Sequence, residues 1–390
     1  MKILLVSETL LPGGAETFVL RLANALIGEH DVALAILHGE MVKAELRAKL
    51  DPRIKVHLLK MPAKRALFKV DSLLRRLHID KSVVRRAQQR WLAKLVDACP
   101  PDIIHSHLFK ADRAASMICA AHPRIRHLIT LHGDYAPFHD GRADPQLLKL
   151  APRMAAVIDR ADGIVAVCCE QVQWIGRVFP DATANTRLIY NGYAPWRARP
   201  TTSQRQKGGR LRFGMVSRGV AKKGWAKAIA AFAQLPRDSA ELILVGEGPY
   251  LDILSRGRLP DGVRFVGFSA DPVDWIEQFD VGLLPSEFPN ESLPTVVMEY
   301  LFCNAAVIAT NVGEIAAMLR TPEGDLAGQL LSFDGEQISV DALAAAMQRY
   351  LDDPAQLAAD RSKAGAAFAK FDMAQCGRAY VAVYRSLVKG

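Results

Sequence analysis

VGLLPSEFPNESLPTVVME, residues 281–299, decides the fold. It opens on a short apolar run, Val281–Leu284, of the kind that forms a strand buried on both faces. It then crosses a proline-bearing loop and enters a second apolar run with helical character. Ser292 is a good N-cap and Pro294 suits a first turn, so the helix is expected to run from there to about Asn304. Glu291 and Glu299 stand eight positions apart, E-x7-E, one ahead of the helix and the other a turn inside it. The amides near Thr295 and Val296 would head that helix, where the positive end of the backbone dipole favours phosphate.

The same strand, loop and helix order recurs on both sides of this stretch. Behind it lie Leu211–Ser217, Glu241–Gly246 and Val263–Val266, and ahead of it Ala306–Thr310 and Gln329–Phe333. A separate series occupies the first half of the chain: Lys2–Ser7, Asp31–Leu37, Ile54–Lys60, Asp102–His107, His127–Leu131 and Gly163–Cys168. Between these strands are amphipathic stretches such as Phe18, Leu22 and Leu26, whose spacing lines one helical face. Alternation of this kind predicts α/β architecture with parallel sheets. The two series are parted by WRARPTTSQRQKGGR, residues 196–210, which holds five Lys or Arg, no acid and no strand pattern. The expected division is therefore residues 1–195, a linker at 196–210, residues 211–372, and a closing amphipathic helix at 373–390 that is a candidate to return to the first domain. Two open parallel sheets would face each other across a cleft, with ligands at the carboxyl ends of their strands.

Length and composition agree with this division. At about 150 residues per domain, 390 residues suit two to three domains, and 50% apolar content excludes a disordered chain. No apolar run reaches the roughly 18 residues of a membrane span. Met1–Val6 meets Ser7 and Glu8 before a secretory apolar region develops, so a cytoplasmic chain is expected. Six cysteines without zinc-ligand spacing are expected to be reduced and mostly buried. The formal charge is +9, which implies an anionic partner without naming it. Residues 60–94 contain eleven Lys or Arg against Asp71 and Asp80, a local excess equal to the whole net charge.

Other loops at strand ends carry chemistry as well. Phe213–Trp225 places Arg218 and Lys223 after a strand, a guanidinium fork and a point charge suited to a diphosphate. Leu244–Pro249 supplies glycines for a tight turn near a ligand, although it lacks the third glycine of a dinucleotide fingerprint. Leu10–Glu16, with Gly13 and Gly14, is another close-approach loop that opens a helix. His105 and His107 are placed on opposite sides of their strand, against a joint metal site. His132 begins a loop at a strand end, and Asp134 beside it is a candidate for acceptor contact.

The order Gly13-Gly14-Ala15-Glu16, His132, Asn191-Gly192, Arg218 with Lys223, Val245–Pro249, Phe265–Phe268, Glu291-x7-Glu299 and Val312-Gly313 resembles the family 4 retaining glycosyltransferases of the GT-B fold. The resemblance covers nearly the whole chain and is densest from Phe213 to Gly313. It implies two Rossmann-like domains, the first binding an acceptor and the second a nucleotide-sugar donor. By the same resemblance Arg218 and Lys223 would hold the donor diphosphate, Glu291 would face the transferred sugar, Glu299 would bind the ribose and His132 would lie beside the sugar. Backbone near Gly14 and at Leu293, Pro294 and Thr295 would touch phosphate or sugar. Gly246, Gly248, Val266, Gly267 and Phe268 would line the nucleobase pocket.

The activity implied is a retaining, hexosyltransferase-type transfer from a UDP- or GDP-sugar to a glycan or lipid-linked acceptor in surface polysaccharide or glycolipid biosynthesis. No cofactor is expected, and because the sequence has no D-x-D, Arg218, Lys223 and the helix end are expected to replace a metal. The rivals are a two-carboxylate hydrolase, a polyanion- or membrane-binding relative without catalysis, and a nucleotide-sugar epimerase of the same fold. Nucleic acid is not an expected partner. Leu67, Val70, Leu73, Leu74 and Leu77 recur at helical steps within residues 60–94, flanked by Lys69, Arg75 and Arg76. That basic amphipathic helix suits either an anionic membrane at the inner face or packing on the first sheet.

Overall fold

In the computed structural model, residues 1–61, 64–76, 82–133, 135, 136, 148, 150–196, 209–288 and 291–389 are described, with 64, 65, 74 and 75 through their backbone alone. Most of the expected 196–210 linker, together with Asp134, Pro289 and Asn290, lies outside the described residues. The chain divides into two compact units, one of Met1–Trp196 with Met373–Gly390 and the other of Arg197–Asp372.

The first unit is built on a parallel sheet with strand order β3-β2-β1-β4-β5-β6-β7. Its strands are β1 (Lys2–Ser7), β2 (Asp31–Ile36), β3 (Lys55–Leu58), β4 (Ile103–His107), β5 (Arg126–Leu131), β6 (Gly163–Ala166) and β7 (Thr186–Leu188). Successive residues of a strand point to opposite faces, and β1 shows why a nearly unbroken apolar run was needed. Ile3 and Leu5 join Phe18, Leu22, Leu26, Tyr380 and Tyr384 in one core. Leu4 and Val6 join Leu92, Val96, Ile104 and Ala115 in another on the reverse face. The closing helix, Met373–Lys389, thus covers one face of the first sheet through Met373, Cys376, Tyr380 and Tyr384. Sequence patterning missed β7, which has only three residues, two of them exposed, and carries no apolar run to detect.

The second unit has a parallel sheet of order β10-β9-β8-β11-β12-β13. Here β8 is Leu211–Val216, β9 Ala240–Val245, β10 Val263–Gly267, β11 Val281–Leu284, β12 Ala306–Thr310 and β13 Gly328–Leu331. Phe213, Met215, Leu242, Leu244, Val281 and Leu283 pack with Trp225, Leu343 and Met347 into its core. In each sheet the strand order reverses once along the chain, between β1 and β4 and between β8 and β11. The loops that leave neighbouring strands there diverge, which opens a crevice at the carboxyl edge.

None of the six cysteines is paired in a disulfide, and Cys168, Cys303 and Cys376 are buried, Cys119 is half-buried and Cys99 and Cys169 are exposed. They are reduced as expected, but only half of them are interior. No helix among the described residues is long and apolar enough to cross a membrane.

Candidate functional site

Glu291 lies at the reversal point of the second sheet and is 8% exposed. Its Oε1 accepts a hydrogen bond from Ser286 Oγ at 2.6 Å and pairs with the Lys223 ammonium. Three loops fix it. The loop after β8 reaches it through Lys223, the loop after β11 carries it, and the loop after β12 backs it with Gly313. Gly224 has φ +81°, and a Cβ there would fall 1.9 Å from the Pro285 carbonyl oxygen, so only glycine lets the first two loops touch. Glu287 N donates to Lys222 O at 2.7 Å along the same seam. Gly313 has φ +53° and would place a Cβ 2.0 Å from the Glu291 carbonyl oxygen.

Lys223 sits 5.1 Å from the Phe288 ring centroid, close enough for cation–π attraction. The Arg218 guanidinium is exposed and makes no hydrogen bond or ion pair among the described residues, while its carbonyl accepts from Trp225 Nε1 at 3.0 Å. The backbone is thereby pinned and the charge left in solvent.

The helix after Glu291 runs Thr295–Phe302, which corrects the expected start at Ser292. Pro294 is the extended residue before the helix, and no side chain caps it. Proline disfavours helical geometry in the residue before it, so Leu293 cannot be helical and Ser292 cannot cap. The helix also stops short of Asn304, which takes φ +53°. Thr295 and Val296 head the helix, and Glu299 lies half-buried in its second turn. Tyr300 beside it accepts from Val216 N at 3.0 Å and donates to Leu283 O at 3.1 Å. That buried hydroxyl locks the helix to the ends of β8 and β11. Neither Ser286 nor Tyr300 was marked from sequence. A serine directly after a buried strand and a tyrosine within an apolar helix carry no signal until their partners are known.

The turns meant for a base also meet. Gly246 N donates to Gly267 O at 2.9 Å, and Gly219 N donates to Glu247 O at 2.7 Å. Gly248 has φ +141° and Gly267 φ +88°. Val266 is half-buried, and Phe268 stands 54% exposed beside this seam.

His132 and Gly14 belong to the first unit. Gly14 opens the helix Gly14–Leu26 with no side-chain cap on it. His132 Nε2 shares a hydrogen bond with His107 Nδ1 at 2.9 Å and lies 5.5 Å from the Phe18 ring centroid. The expectation for His105 and His107 was mistaken. Residues two apart on a strand share a face, and their ring centroids are 4.1 Å apart. His105 bonds Tyr384 OH at 2.7 Å and Thr130 Oγ1 at 2.8 Å, and Thr130 meets Tyr380 OH at 3.0 Å. Burial pushes His132 down to about 3, and burial with neighbouring rings holds His105 and His107 well below the usual histidine value. All three are neutral at neutral pH, so they offer hydrogen bonds rather than charge. Among the described residues no group of three or more His, Cys, Asp or Glu is placed to hold a metal ion.

Residues 12–197 match the family model described as Glycosyltransferase Family 4, and residues 210–353 match that described as Glycosyl transferases group 1. A protein of Bacillus subtilis (strain 168) designated a teichuronic acid biosynthesis glycosyltransferase, TuaC, is 24% identical over 234 residues. The match takes in 56% of this chain and 55% of that protein, so the chain spans about half the length of the relative. Anabaena HepE, solved in complex with UDP, gives a TM-score of 0.75 at 21% identity over 99% of this chain and 100% of its own. The same protein with UDP-glucose gives 0.74 at equal identity and coverage. Sucrose-phosphate synthase from Thermosynechococcus elongatus gives 0.74 at 18% identity, with both chains fully covered. At such identities these structures share the fold of this chain.

Proposed function

The chain belongs to the family 4-type glycosyltransferases of the GT-B fold, and on that premise we propose that it moves a sugar, with retention, from a UDP- or GDP-sugar to a hydroxyl of a glycan or glycolipid. The observation that carries this reading is the fixed carboxylate of Glu291, held by Ser286 and Lys223 at the reversal point of the second sheet. A carboxylate already paired with a lysine is poorly suited to be a hydrolase's proton donor. It is well suited to orient a sugar and stabilise positive charge at its anomeric carbon.

In this mechanism Arg218, Lys223 and the amides heading the Thr295–Phe302 helix hold the diphosphate of the donor. The anomeric carbon–oxygen bond to the diphosphate breaks as the acceptor oxygen bonds to the same face of that carbon. The acceptor's proton passes to the leaving phosphate oxygen. Charge on the diphosphate is offset by side chains and backbone, so no metal is required. Glu299 binds the ribose, the Gly246–Gly248 turn and Val266–Phe268 receive the base, and His132 with the Gly14 backbone contacts sugar or phosphate. The complexes of HepE with UDP and UDP-glucose support a uridine donor. The acceptor side, in surface polysaccharide or glycolipid synthesis at the inner face of a membrane, rests on the family and on the basic segment 60–94.

A panel of nucleotide sugars tested for protection against thermal unfolding, followed by turnover with the best of them, examines this reading. One UDP- or GDP-sugar should raise the unfolding midpoint, and chelator should leave the initial rate unchanged. Protection by none of them would overturn the donor assignment, and activity restored only by Mg²⁺ or Mn²⁺ would overturn metal independence.

A further inference from the structure

His107 is the last residue of β4 and pairs in register with Thr130 of β5. His132, two positions beyond Thr130, therefore falls on the same face of the sheet. The two rings lie 5.2 Å apart, with His107 Nδ1 2.9 Å from His132 Nε2. His107 is fully buried, and its ring is flanked by His105 at 4.1 Å and, edge-on, by Phe18 at 6.2 Å. Both nitrogens of His105 are already engaged, by Tyr384 OH and Thr130 Oγ1, so His105 steadies His107 through ring contact alone.

The hydrogen bond between His107 and His132 has a direction. A neutral imidazole carries one N–H, and burial keeps both rings neutral at neutral pH. Among the described residues His107 Nε2 is buried and has no hydrogen-bond partner. A buried N–H left without an acceptor is rarer in proteins than an unfilled lone pair. The proton of His107 therefore belongs on Nδ1, where His132 Nε2 accepts it. His132 is only half-buried, and its Nδ1 is open at the carboxyl edge of the sheet. Solvent satisfies that nitrogen as donor or as acceptor, so the buried ring decides for both. The bond made by one ring nitrogen sets the protonation of the other, and with Nε2 accepting, the single proton of His132 lies on Nδ1.

We propose that His107 is a positioning residue that holds His132 in the Nδ1–H tautomer, so that His132 presents a neutral hydrogen-bond donor to an oxygen of the nucleotide sugar. The identity of that oxygen's owner rests on the nucleotide-sugar reading, whereas the tautomer rests on the two rings alone. The oxygen brings a lone pair and belongs either to the diphosphate or to the transferred sugar. A ring fixed in this way takes no proton at its open nitrogen, which removes His132 as a base toward the acceptor hydroxyl. It agrees with passage of that proton to the departing phosphate oxygen.

Long-range proton–nitrogen correlation spectra of the full chain, with isotope-labelled histidines, test the tautomer directly. Wild type, assigned by comparison with His107→Leu and His132→Leu, should show His132 with its proton on Nδ1. His107→Leu should leave His132 as a mixture of tautomers, and His107→Asn, whose amide donates from near the place of Nδ1, should restore the single form. With a nucleotide sugar that is turned over, His107→Leu should lower kcat roughly tenfold, the effect of losing one hydrogen bond. The His107→Leu/His132→Leu variant should lose no more than His132→Leu alone. Weakened UDP binding in His107→Leu would place the oxygen on the diphosphate, and unchanged UDP binding would place it on the sugar. A single Nδ1–H form that persists in His107→Leu, or losses that add in the double variant, overturns the proposal. If wild-type His132 carries its proton on Nε2 while a nucleotide sugar is turned over, the proposal fails and the donor reading stands. If the proton is on Nδ1 and is released by His107→Leu while no nucleotide sugar binds, the role of His107 stands and the donor reading fails.

Discussion

Lys223 and Arg218 are both cations after β8, yet their surroundings separate what each substitution should do. Arg218 is exposed and unpaired among the described residues, so Arg218→Ala should leave the urea midpoint in place. Lys223 partners buried Glu291, and Lys223→Ala leaves that carboxylate with Ser286 alone, a loss of about 1–3 kcal/mol in stability. Either change should lower turnover by roughly 10²–10³, the effect of removing one donor from transition-state charge. Single-turnover rates and urea titrations on the two variants check this, and wild-type turnover in either would remove that residue from the mechanism. Sequence order was enough to mark Arg218, Lys223, Glu291 and Glu299. The contacts that hold Glu291, from Ser286 and from the backbone approach at Gly313, join positions whose spacing carries no periodic signal.

At the scale of single elements, the helix Lys64–Arg76 shows how far periodicity reaches. Its three- and four-residue steps gave an amphipathic helix but could not say which side would face inward. Among the described side chains of this helix Asp71 is buried, Leu67 is half-buried, and Phe68, Val70 and Leu73 are exposed. The Leu74 side chain and Leu77 lie outside the described residues. A carboxylate turned inward is satisfied because the next helix, Val83–Ala98, offers Ser82 and the Val83 amide at its start. That second helix buries Leu92 and Val96 in the core on one face of the first sheet. An outward apolar face beside Lys69 and Arg76 should bind anionic vesicles at low salt. With each cation near the surface contributing about 1 kcal/mol, Lys69→Gln/Arg76→Gln should weaken cosedimentation by roughly 30-fold, and 0.5 M salt should reduce it further. Wild-type chain left in the supernatant at low salt would show that this face has another purpose.

Across the whole molecule, buried histidines make stability depend on pH. His105, His107, His127 and His132 are all lowered by burial, His127 to about 4 and His132 to about 3. Below the ordinary value near 6.5 the unfolded chain takes up protons on these rings that the folded chain refuses. Stability is therefore full above pH 6.5 and falls as pH drops. Each ring costs about 1.4 kcal/mol per pH unit until its folded value is reached. Asp112 acts in the opposite sense, since burial raises its carboxyl well above 3.8 and acid relieves the folded state. Four rings outweigh one carboxyl, so the urea midpoint should be lower at pH 5 than at pH 7. An equal or higher midpoint at pH 5 would mean these rings are charged or exposed in solution.

The sequence by itself determined the alternation of strands and helices, and with it two parallel sheets. Burial on both faces forces near-continuous apolar runs, and such runs are visible one residue at a time. It also determined the family, through ordered motifs that fall in the loops at strand ends. The tertiary structure alone decided that Met373–Lys389 lies on the first sheet, where Tyr380 and Tyr384 close a network with Thr130 and His105. It also decided that Lys223 meets Glu291. Each of these depends on chain segments far apart in sequence being brought within a hydrogen bond or a side chain's length of one another. Local pattern records which face of an element is apolar, and only packing selects the partner that face or polar group receives.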